Sequence, residues 1–145
     1  MKLLVIDGQG GGVGKSLIQA LKSAMPAQPV LALGTNAAAA AAMLRAGADQ
    51  AATGENAICY QCQSADIIVG VIGILHANAM LGEISPAIAS AVSASAAQKV
   101  LIPLDRCGIH IVGVARQSLD AAIAGAVKAV MELCNERAKQ ASSRP

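Results

Sequence analysis

The sequence predicts an α/β domain with a mainly parallel sheet between two helical layers. Two observations carry that expectation. Short continuous apolar runs alternate with stretches of helical periodicity, the pattern of strands buried on both faces and joined by helical crossovers. A glycine-rich segment, Gly8–Gly14, leads from the first apolar run into the first helix. Together they describe a Rossmann-like, three-layer fold with the first strand at its centre. A chain of 145 residues has the size of one domain, read here as residues 1–140 with a frayed tail at 141–145.

Lys2–Ile6 (KLLVI) is the first strand. Val13, Leu17, Leu21 and Met25 recur at helical spacing, and Pro26 ends that helix. Pro29–Leu33 is the second strand, closed by Gly34. Ala37–Ala46 reads as a helix capped by Asn36 and stopped at Gly47. Its run of Ala favours helix and makes it thin enough to lie close to a sheet. Asp49–Ala52 is expected as a short edge strand, and Gly54–Ser64 as a loop or short helix. Asp66–Ile72 (DIIVGVI) is the clearest strand. Helical pattern resumes over His76–Leu81 and again from Pro86, a favoured first helical residue with Ser85 as its cap. Lys99–Leu104 and Ile109–Val114 read as two further strands. Ser118–Lys139 closes the chain as a helix with Leu119, Ile123, Val127, Val130 and Cys134 on one stripe.

Composition narrows the function. The chain is 54% hydrophobic, which excludes a largely disordered protein. Phe and Trp are absent and 32 residues are Ala, so the core must be Val, Ile, Leu, Met and close-packed Ala. A net charge of +2 without a dense basic stripe gives nucleic-acid binding little to work with. Tyr60, the single aromatic, cannot form a stacking platform. Ile67–Leu75 is too short to cross a bilayer, and the N-terminus does not read as a signal peptide. We therefore expect a cytoplasmic protein with reduced thiols, no membrane partner and no nucleic-acid partner. With only 14% charged residues and many Ala on its helices, it is expected to form a homo-oligomer, most simply a dimer through the last helix.

Function is carried by Asp7–Ser16 (DGQGGGVGKS). Glycines let backbone N–H groups approach an anion, and a helix N-terminus adds partial positive charge. The candidate cofactor-binding residues are Gly8, Gln9, Gly10, Gly11, Gly12, Val13, Gly14, Lys15 and Ser16, with Thr35, Asn36 and Gly73 at the ends of later strands. Two nucleotide readings stand. Gly14-Lys15-Ser16 resembles the end of a Walker A motif, which would bind ATP or GTP with Mg²⁺, but Gln9 stands where that spacing requires Gly. Alternatively, Gly8-x-x-x-Gly12-x-Gly14 resembles the glycine pattern of short-chain dehydrogenases, and Asp66–Gly73 fits a strand facing a nicotinamide ribose. The second strand ends Gly34-Thr35-Asn36, without the acid expected on a ribose 2′-hydroxyl, so NADP is favoured slightly over NAD. The Tyr-x-x-x-Lys pair of those dehydrogenases is absent: Ser64 stands four residues after Tyr60. No hydrolytic constellation is visible either, so enzymatic activity stays open beside a sensor or scaffold role.

Glu55, Asn56, His76, Asp105 and Arg106 are candidates for a second half-site, with a surface ion pair as the plain alternative. Cys59-x-x-Cys62 reads as inert thiols, and no metal site is expected, because neither a second Cys pair nor an HxxxH follows. The strings IDGQGGGVGK, ALGTNA, ATGENA, ANAMLGE and IPLDRC together resemble a family of short bacterial proteins of unknown function. The resemblance spans roughly Met1–Val114; it implies that a short chain is usual for the family and brings no activity, cofactor or catalytic residue with it.

Overall fold

The computed structural model describes residues 1–104 and 108–142. Five strands, β1 (Leu3–Asp7), β2 (Val30–Gly34), β3 (Gln50–Thr53), β4 (Ile67–Val71) and β5 (Gln98–Ile102), form one all-parallel sheet in the order β3-β2-β1-β4-β5. The helices are α1 (Gly12–Ala24), α2 (Ala37–Arg45), α3 (Glu55–Cys62), α4 (Pro86–Ala94) and α5 (Leu119–Ser142). This is a Rossmann-like three-layer α/β domain with β1 at the centre, as its continuous apolar run requires.

Alternation along β1 sends Leu3 and Val5 into one core and Leu4 and Ile6 into the other. The first core is closed by Leu17, Ile18 and Leu21 of α1, Met43 of α2 and Ile123, Val127 and Val130 of α5. The second is closed by Ile58 and Cys62 of α3 and Ile88 and Val92 of α4. Asn36 caps α2 by accepting the Ala39 N–H at 2.9 Å, and Ser85 caps α4 by accepting the Ile88 N–H at 3.2 Å, both as expected. No helix among the described residues is long and apolar enough to cross a membrane.

Three expectations are corrected. His76–Leu81 is not helical: a 3-10 turn over Ile72–Leu75 leads into a closed loop. Asn78, Met80 and Leu81 lie in the left-handed region (φ 65, 55 and 58), and the Asn78 N–H reaches the Ile84 carbonyl at 2.6 Å. The chain doubles back because Ala79 and Ile84 both enter the second core. Ile109–Val114 is not a strand. Ile109 and Ile111 instead line a small cavity of about 180 Å³ with Ile72, Leu104 and Leu119, while Val112 faces solvent. Leu119 is itself 40% exposed, so the buried stripe of α5 begins at Ala122 and Ile123. The helix continues to Ser142.

Candidate functional site

The site begins where β1 ends. Asp7 is 6% exposed, and its carboxylate accepts the Gly8 N–H at 2.8 Å and the Gly14 N–H at 2.7 Å. One side chain thus ties both ends of the glycine loop to the strand. Burial pushes the Asp7 carboxyl above its ordinary range, against the two N–H bonds that pull it down, and Glu83 pushes it further up.

Within the loop, Gly11 N-caps α1 with φ 72, and a Cβ there would lie 2.8 Å from the Ala39 Cα. Only glycine meets both constraints. At Gly14 a Cβ would lie 2.6 Å from the Met43 sulfur and 2.8 Å from the Asp7 Cβ, so this glycine lets α1 press onto β1 and α2. The Gly11 N–H bonds the Gly8 carbonyl at 2.9 Å, and the Lys15 N–H bonds the Gly11 carbonyl at 2.8 Å. The N–H groups of Gly10, Gly12 and Val13 have no partner among the described residues. Three donors therefore stand open at the start of α1, where the helix dipole favours an anion. Lys15 is exposed one turn into the helix, and the Ser16 hydroxyl donates to the Gly12 carbonyl at 3.2 Å.

A pocket of about 350 Å³ opens beside this loop, lined by Asp7, Gly8, Gln9, Val13 and, across from them, Val71, Met80, Leu81 and Leu104. It lies between the ends of β1 and β4, where the strand order reverses direction and open parallel sheets bind ligands.

Thr35 and Asn36, at the end of β2, join the loop through a residue the sequence reading did not single out. The Glu83 carboxylate accepts the Gln9 N–H at 2.7 Å, the Asn36 Nδ2 at 2.6 Å and the Thr35 hydroxyl at 3.3 Å. Asn36 Nδ2 also donates to the Gln9 carbonyl at 3.0 Å. Glu83 lies in the string ANAMLGE, but its place beside β2 depends on the loop between β4 and α4, which no local pattern announces.

The remaining candidates among the described residues do not join this cluster. Gly73 is buried in the 3-10 turn, its carbonyl accepting the His76 N–H at 3.0 Å, and His76 is exposed; neither lines the pocket. Glu55 and Asn56 begin α3, where the Glu55 carboxylate accepts the Ser85 hydroxyl at the start of α4. Asp105 and Arg106 lie outside the described residues. Cys59 and Cys62 sit on α3 as free thiols. Burial pushes Cys62 up to about 11 and raises Cys59 as well, so neither is a ready nucleophile. No group of three His, Cys, Asp or Glu among the described residues is placed to hold a metal ion.

A parallel sheet of this order, with a glycine loop running from its central strand into a helix N-terminus, defines a Rossmann-like α/β domain whose candidate site is the crevice above β1 and β4. The chain belongs to the family described as a domain of unknown function (DUF3842), whose model matches residues 2–135. No curated protein and no solved structure matches it.

Proposed function

We propose that the protein binds a nucleotide cofactor, NADP or NAD, with its diphosphate over Gly10–Ser16. The observation that carries this reading is the set of N–H groups of Gly10, Gly12 and Val13 that have no partner among the described residues, at the start of α1 beside the strand-order reversal. The residues present fit a diphosphate. Gly10 and Gly12 have nothing within 4 Å of where a Cβ would be, so a ligand can approach the backbone there. Lys15 supplies positive charge, and Ser16 a hydroxyl that can turn outward from the Gly12 carbonyl. We assign no reaction: a nucleotide sensor or scaffold requires binding alone.

The sheet order favours a dinucleotide over a triphosphate, because it repeats the first five strands of the dinucleotide-binding arrangement. Gly14-Lys15-Ser16 keeps the variant P-loop reading as the competitor, with Lys15 on the phosphates and Ser16 on Mg²⁺. A thermal-shift panel of NAD(H), NADP(H), ATP and GTP, each with and without Mg²⁺, separates the two. Stabilisation by a dinucleotide without Mg²⁺ is the expected result. Stabilisation only by a triphosphate with Mg²⁺ supports the P-loop, and no response from any of them removes the proposal.

A further inference from the structure

We infer that Glu83 reads the ribose of the cofactor and selects one with free hydroxyls over one carrying a 2′-phosphate, an inference that rests on the dinucleotide reading above. In this fold a carboxylate at the end of the second strand accepts the ribose 2′-hydroxyl. The end of β2, Gly34-Thr35-Asn36, holds no acid, and from sequence that favours NADP. In the folded chain a carboxylate stands there nonetheless, delivered from the β4–α4 loop. Glu83 touches Thr35 and Asn36 at the end of β2 and the Gln9 N–H of the glycine loop. Its Oε2 is also 3.4 Å from where a Cβ on Gly8 would stand, so it borders the backbone closest to β1.

The placement is built rather than incidental. The loop that carries Glu83 is pinned at both ends by buried Ala79 and Ile84. Between them Met80 and Leu81 adopt left-handed φ values of 55 and 58, followed by Gly82 at 93. At Met80, which is half-buried, the surroundings hold that conformation, and such residues cluster at ligand sites. An ionised carboxylate is an acceptor with about four lone-pair positions, of which the three protein donors use three. It can take a donor from a ribose hydroxyl, and the long Thr35 contact can yield a second position. A 2′-phosphate offers acceptors where a donor is needed and sets like charge against the carboxylate, so the wrong cofactor is rejected as well as the right one held.

The test is titration of the protein with NADH and with NADPH, followed by nicotinamide fluorescence, for the wild type and for Glu83→Gln. The wild type should bind NADH more tightly by about tenfold or more, and Glu83→Gln, checked for folding by circular dichroism, should lose most of that preference. Equal or tighter binding of NADPH by the wild type overturns the role of Glu83 while leaving dinucleotide binding intact, and needs no variant to show it. A preference for NADH that a folded Glu83→Gln retains overturns it too. If neither dinucleotide binds the wild type, the chain is not a dinucleotide binder and Glu83 has no ribose to read.

Discussion

Asp7 concentrates the opposing forces at the site. Its carboxylate sits at a helix N-terminus and accepts two N–H groups, both favourable to charge, yet it is buried beside Glu83, and burial prevails. A folded-state pKa above the ordinary 3.8 means the native protein holds the proton longer than the unfolded chain. Its contribution to stability is therefore full below 3.8 and declines as pH rises through the raised value. Asp66 runs the other way. The Lys2 N–H holds its carboxyl below 3.8, helped by the Arg137 guanidinium, so its contribution is present above 3.8 and lost as pH falls through the lowered value. Asp66→Asn should cost about 1 kcal/mol at neutral pH and make urea stability fall less steeply below pH ~4; an unchanged acid limb would remove Asp66 from that role. Asp7→Ala should cost about 1–3 kcal/mol in urea unfolding at pH 7, because the Gly8 and Gly14 N–H groups both lose their acceptor, a loss larger than the relief of removing one buried charge. Wild-type stability in that variant would show that the loop holds its shape without the staple.

At the scale of elements, the tightest constraint is the approach of α1 to β1 and α2 at Gly14. Gly14→Ala should lower stability by about 1–3 kcal/mol, read as a shifted denaturation midpoint with an unchanged slope, since the added methyl meets the Met43 sulfur and the Asp7 Cβ. A gain in stability, as an ordinary helix-interior Gly→Ala would give, would contradict that packing. Elements that close their own local chemistry were legible in the sequence. These include the apolar β1 and β4, the Asn36-capped α2 and the Ser85–Pro86 start of α4. His76–Leu81 has helical spacing in the sequence, but that spacing serves a loop anchored at Ala79 and Ile84, not a helix face. Ile109–Val114 has strand-like alternation, but alternation alone does not supply a neighbouring edge to pair with. The glycine loop was readable because strand, glycines and helix are consecutive. Glu83 was not, because its contacts reach residues 47, 48 and 74 positions away, through a loop whose path follows from packing.

For the whole molecule, the question is what covers α5. The helix has 24 residues, roughly 36 Å at 1.5 Å per residue, against strands of about 17 Å, so it outruns the sheet it packs on. Ala122, Ile123, Ala126, Val127 and Val130 face the core. Ala121, Ala124, Gly125 and Lys128 are exposed, with Leu119 and Met131 at 40% and 38% adding apolar area. Val112 and Val114, on the segment that leads into α5, are exposed at 89% and 47%. Small residues along an exposed helix face allow a second helix to approach closely, and a two-fold axis through Ala124 and Gly125 would bury the same patch on both copies. We expect a dimer, with a light-scattering mass near twice the 14.4 kDa of one chain at micromolar concentration. Ala124→Glu should shift it toward monomer without lowering the unfolding midpoint of the isolated chain, because Ala124 lies outside both cores. A wild-type mass near 14.4 kDa would end the expectation. A dimer that survives Ala124→Glu would move the contact off this face of α5, leaving the exposed valines before it as the next surface to substitute.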